Sequence, residues 1–143
     1  MKLNCIFISN RSVSIELVNK DIYYNNEAFD VYLNDELVIK NETKNVFSLY
    51  NLLPSSKYEV KTVSKSNKIG VLNLTTLEES LTLNVRDFNA YGDGIKNDTL
   101  AIQTAILTAP KNARVLIPEG TYLVTSLFLK DNIILNLQKV QYY

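Results

Sequence analysis

The stretch Asp87–Ile106 reads DFNAYGDGIKNDTLAIQTAI. Gly92 and Gly94 stand two apart inside a knot of Asp and Asn, and a helical pattern follows at once. Glycines so placed supply positive φ for a tight loop. Asn97 or Asp98 is positioned to cap the helix, and an acidic cap complements the helix dipole. Leu100, Ala101, Ala105 and Ile106 make an apolar stripe, and Pro110 stops the helix. Two chemical readings of the loop fail on its residues. From Asp93 onward it lacks the alternating oxygen ligands and the closing Glu of a calcium loop. It also lacks a third Gly and a Gly-Lys-Ser/Thr, and Asp93 and Asp98 would repel a phosphate. The loop reads as structure: its helix seals one end of a stack of strands whose edges and apolar side chains would otherwise be bare.

The flanking segments fit that stack. LTLNVRDF upstream reads as a strand with Leu81, Leu83 and Val85 on one face. Downstream come ARVLIP, a turn at Glu119-Gly120, TYLV, SLFL, a turn at Lys130–Asn132 and IILNL. These are short apolar, β-branched strands separated by minimal turns.

The first half of the chain has a different rhythm. Val13, Ile15 and Leu17 share one face of a period-2 segment, as do Phe29, Val31 and Leu33. YEVKTV and IGVLNL alternate similarly, and the breaks NKDIYYNN, NDE, NLLPSS and SKSNK carry turn chemistry. Strands at this spacing predict an all-β sandwich. Leu52, Pro54, Tyr58 and Val60 sharpen it. A Pro-bearing corner leads into a strand opening with Tyr, the arrangement of a tyrosine corner, whose hydroxyl bonds back to the preceding chain. TLEESL, Thr76–Leu81, is a short polar join without Gly or Pro, expected to hold the halves close.

Composition excludes several function classes. Lys+Arg and Asp+Glu are both 15, so no net field draws in nucleic acid or an anionic membrane. The 143 residues contain no His, which removes Ser–His and Cys–His pairs, His-ligated metals and the commonest general base. Cys5 stands alone, so no internal disulfide forms. The N-terminal run is too short and too polar for a signal-peptide core, and no apolar run reaches membrane-spanning length. The chain as given reads as cytoplasmic, with no cofactor and no metal.

Two resemblances add to this. The Leu-x-Pro-x-x-x-Tyr-x-Val spacing resembles fibronectin type III modules over about Met1–Thr76, although the Trp common in that family is missing and Ile15 or Leu17 must fill its space. Asp87-Phe88, Ala90, Gly92-Asp93-Gly94 and Asp98-Thr99-x-Ala101-Ile102-Gln103, followed by Leu116–Tyr122, resemble the opening of pectin-degrading β-helix enzymes. The likeness runs over about Leu83–Leu137 and is nearest to glycoside hydrolase family 28, the polygalacturonases. Asn89 and Asn97 replace a Gly and an Asp of that pattern, and Asn tolerates the left-handed conformation. A fibronectin-like module ahead of this opening resembles the bacterial exo-acting members.

The fold implied is mostly β: a fibronectin-III-like sandwich over residues 1–76, a linker over 77–81, and over 82–143 the capping helix and first coil of a right-handed parallel β-helix. The resemblance implies galacturonan hydrolysis in the family, by aspartates in Asn-Thr-Asp and Asp-Asp strings near Gly-His and Arg-Ile-Lys. None of those strings occurs in these 143 residues. An inverting glycosidase needs two carboxyl groups about 6.5–9.5 Å apart, and Asp93 and Asp98 are better explained as loop and cap. No catalytic residue is assigned. The family pattern continues past LNL into further coils, whereas this sequence runs LNLQKVQYY, so it is expected to be a truncated, inert N-terminal piece that self-associates through Leu127–Leu137. The alternative is a stand-alone structural or carbohydrate-binding module, with Tyr23, Tyr24, Tyr32 and Tyr50 as sugar-stacking candidates against the plainer role of amphipathic strand residues. A phage tail-spike-like β-helix start is a third reading, against which the preceding sandwich argues.

Overall fold

The computed structural model describes residues 1–20 and 23–142. The chain divides into two compact units, Met1–Glu78 and Glu79–Tyr143.

The first unit is an antiparallel sandwich. One sheet has the order β1 (Lys2–Ile8), β2 (Val13–Val18), β5 (Val46–Leu49), and the other has β4 (Glu36–Lys44), β3 (Tyr24–Leu33), β6 (Lys57–Ser64), β7 (Ile69–Thr75). Period-2 alternation sends one set of side chains inward from each sheet. Val13, Ile15 and Leu17 from one sheet meet Phe29, Val31 and Val60 from the other in a single core. Ile15 and Leu17 are both buried, and Phe29 tilts against Phe47 with centroids 5.9 Å apart. Asn34 and Asp35 both have positive φ (48° and 66°) in the two-residue turn joining β3 to β4, as a type I′ hairpin requires. The tyrosine corner is present: the Leu53 N–H donates to Tyr58 Oη at 2.8 Å.

β1, β4 and β5 are strands that the alternation did not mark. β4 is an edge strand on which Leu37 and Val38, neighbours in sequence, are both exposed, so no buried face disciplines its pattern. β3 begins at Tyr24, inside a segment read as a break. Of that segment, Asp21 and Ile22 lie outside the described residues.

The second unit is built from parallel rungs. β8 (Thr82–Asn84), β10 (Ala113–Ile117) and β12 (Ile133–Leu137) form one sheet, and β9 (Asp93–Asn97), β11 (Gly120–Leu123) and β13 (Val140–Tyr142) form another. Val115 stands between Leu83 and Leu135, and Thr121 between Asp93 and Gln141, all in parallel register. Two residues separate β10 from β11 and β12 from β13, so each turn of chain lays one rung on both sheets. This is the start of a parallel β-helix. Helix α1 (Thr99–Thr108) covers it with Ile102, Ala105 and Ile106, which pack on Val85, Ala113, Val115 and Tyr122.

Three expectations change here. The strand predicted over Leu81–Phe88 is β8 alone, after which Val85–Phe88 form a 3₁₀ turn ended by Asn89 at φ 72°. The buried face of α1 is Ile102, Ala105 and Ile106; Leu100 is 79% exposed. Ser126–Leu129 form no strand. The Gln103 side chain takes that segment's backbone instead, donating from Nε2 to the Phe128 carbonyl (2.9 Å) and accepting the Phe128 N–H (2.7 Å). No helix among the described residues is long and apolar enough to cross a membrane.

Candidate functional site

The Gly92–Gly94 loop sits where β9 and α1 begin, and four side chains organise it. Among the described residues Asp98 is the most buried acidic one, 1% exposed. It occupies the residue before α1, but its carboxylate makes no bond to the helix. It turns back and accepts the N–H groups of Tyr91 (2.7 Å) and Gly92 (2.9 Å). Asn97 instead accepts the Thr99 N–H at 2.9 Å. The expectation that Asp98 caps the helix is thus corrected: its side chain holds the loop. The physical reason is burial, since a desolvated carboxylate gains most from two backbone donors aimed at it together.

Arg86 closes the other side. Its Nε donates to Tyr122 Oη (3.1 Å), Nη1 to the Tyr91 carbonyl (2.6 Å) and Nη2 to the Glu119 carbonyl (3.1 Å). The guanidinium also stacks 5.5 Å from the centroid of the Tyr122 ring. Tyr122 is fully buried and donates its hydroxyl to the Pro118 carbonyl at 2.8 Å. Gly92 has φ 64°, and a Cβ there would fall 2.5 Å from Arg86 Nη2. At Gly120 a Cβ would fall 3.0 Å from the same atom. The glycines leave room for the guanidinium, and the guanidinium ties together loop, corner and rung.

Asp93 is exposed and accepts the N–H groups of Ile95 (2.9 Å) and Lys96 (3.0 Å). Those bonds, the Lys96 one foremost, hold its carboxyl below the ordinary value of 3.8. Lys96 lies over the Tyr91 ring at 3.9 Å. The Tyr91 and Gly92 N–H groups that a phosphate would need are therefore occupied by Asp98. Among the described residues no group of His, Cys, Asp or Glu is placed to hold a metal ion. The loop is an anchor.

Residues 82–136 match the family model described as rhamnogalacturonase A/epimerase, pectate lyase-like. Over these residues the chain is similar to pectate lyase-like proteins. Over 85 residues it is 33% identical to an exo-poly-alpha-D-galacturonosidase of Dickeya chrysanthemi, covering 57% of this chain and 14% of that protein. Over 65 residues it is 45% identical to plasmin and fibronectin-binding protein A of Streptococcus pneumoniae, covering 43% of this chain and 9% of that one. In fold it is similar to the family 28 exopolygalacturonase of Yersinia enterocolitica, with TM-score 0.64 and 22% identity over 95% of this chain and 30% of that one. The chain thus spans a small part of the length of the curated relatives it matches.

The tyrosines singled out in the sequence separate. Tyr23, Tyr24 and Tyr50 are exposed (70%, 59% and 71%), whereas the ring of Tyr32 is half-buried, with Lys61 5.4 Å from its centroid. Tyr23 and Tyr24 line a cleft of about 420 Å³ with Lys44, Asn45 and Val46. The positioning role of Arg86 was missed by sequence reasoning; the signal available was an Arg directly before the Asp-Phe of the opening.

Proposed function

We propose that this chain is the N-terminal part of a galacturonan-hydrolysing enzyme. Its second unit nucleates the β-helix, and the catalytic carboxylates lie outside these 143 residues. The observation that supports this best is the match over residues 82–136, which contains the whole Arg86–Gly92–Asp98–Tyr122 anchor. The anchor fixes the first rungs, and later rungs build on them. The test is reducing-end release from polygalacturonate by the pure 143-residue chain. No release is expected, and release would overturn the assignment of the carboxylates to other residues.

A second reading is self-association of the 143-residue chain. Among the described residues β12 and β13 each pair on one side only, a parallel edge that another copy can extend. Sedimentation velocity is expected to show concentration-dependent growth in size; a constant monomer would contradict it.

A further inference from the structure

We infer that the cleft beside β3 and β4 on the sandwich unit, lined by Tyr23, Tyr24 and Lys44, binds an acidic oligosaccharide of the uronate class. Three observations meet there. Two exposed tyrosines line one concavity, on a scale that suits small ligands. Sugar rings present a C–H face that packs on an aromatic face, and tyrosine adds a hydroxyl at the wet end. Lys44 is the cross-strand partner of Tyr24 and lines the same cleft, so the cleft carries a cation. Among the described residues it makes no ion pair, and no carboxylate lines the cleft. A ring face with a neighbouring cation suits a sugar that carries a carboxylate.

The backbone bearing the rings is held from behind. The Asn45 N–H donates to the Tyr23 carbonyl at 3.0 Å, and Asn19 Nδ2 donates to the Tyr24 carbonyl at 3.1 Å. Asn45 itself is buried. A pinned backbone presents both rings without a large ordering cost on binding. Tyr32, by contrast, is already overlain by Lys61. A second hollow of about 590 Å³ carries both Lys57 and Glu59, and its Tyr58 hydroxyl serves the corner.

The choice of galacturonate among uronates rests on the reading given under Proposed function. The experiment separates the two. The 143-residue chain is titrated with oligogalacturonate, with its methyl-esterified form and with oligoglucuronate, followed by amide chemical shifts. Tyr23→Ala and Tyr24→Ala are expected to weaken oligogalacturonate binding about tenfold. Lys44→Gln is expected to weaken it about threefold and to erase the preference for the free acid over the ester. Tyr50→Ala is expected to leave it unchanged, and the circular dichroism of each variant reports folding. Oligoglucuronate binding with the same variant pattern, without oligogalacturonate binding, would keep the cleft and remove the galacturonan reading. Oligogalacturonate binding untouched by all three cleft substitutions would overturn the cleft, as would no binding of any uronate.

Discussion

Asp98→Asn separates the loop-anchor role of this residue from the helix-cap role that its position suggests. Asn and Asp are near-equal helix caps, so a capping role makes the substitution close to neutral. The geometry says otherwise. Both carboxylate oxygens accept backbone N–H groups, from Tyr91 at 2.7 Å and Gly92 at 2.9 Å, at a residue 1% exposed. The amide keeps one oxygen and turns an NH₂ toward the other donor. A bond to a charged acceptor contributes about 1.5–3 kcal/mol, and a buried donor left unmet costs about 1–3 kcal/mol. Relief of carboxylate desolvation offsets part of this. The expected loss is about 2 kcal/mol, or on the order of 10 °C in the midpoint of a unit this size. Amide hydrogen exchange at Ile102 and Ala105 reports the second unit alone, with protection falling about thirtyfold. A loss below about 0.5 kcal/mol would refute the anchor and restore the cap.

Other outcomes follow from the same geometry. Gly92→Ala forces a Cβ toward Arg86 Nη2 at φ 64°, and is expected to cost about 2–3 kcal/mol by the same exchange readout. Tyr58→Phe removes the bond from the Leu53 N–H and is expected to lower sandwich stability by about 1 kcal/mol in urea unfolding, because water can reach that exposed turn. The Asp93 carboxyl is held below 3.8 by the N–H groups of Lys96 and Ile95, so its stabilising contribution is present above that pH and is lost as pH falls through the folded value. The stability gap between wild type and Asp93→Ala is therefore expected to be flat above about pH 5 and to narrow below 3.8; a gap that widens on acidification would contradict it.

Much of this architecture is written in local pattern. Val13, Ile15 and Leu17 face the core because strands alternate, and Tyr58 bonds back to Leu53 because the Pro54 corner brings it there. Gly92, Gly94 and Asn89 all take positive φ, as their types suggested. What escaped is what depends on distant partners. Spacing alone does not say whether the Asp98 carboxylate turns toward its helix or back to Tyr91. Four residues, SLFL, look like a strand until Gln103, from the preceding helix, claims the Phe128 backbone. β9 hides inside a glycine loop because its pairing is supplied by β11, a segment read separately. Arg86 looks like any surface cation until Tyr91, Glu119 and Tyr122 are brought around it.

The most direct test of the central claim is the nucleotide sequence that follows the Tyr143 codon, translated in all three frames. The account predicts a frame that resumes parallel β-helix rungs and then presents Asn-Thr-Asp, Asp-Asp and Gly-His strings. Three frames without those strings would contradict the assignment of this chain to the front of a galacturonan hydrolase.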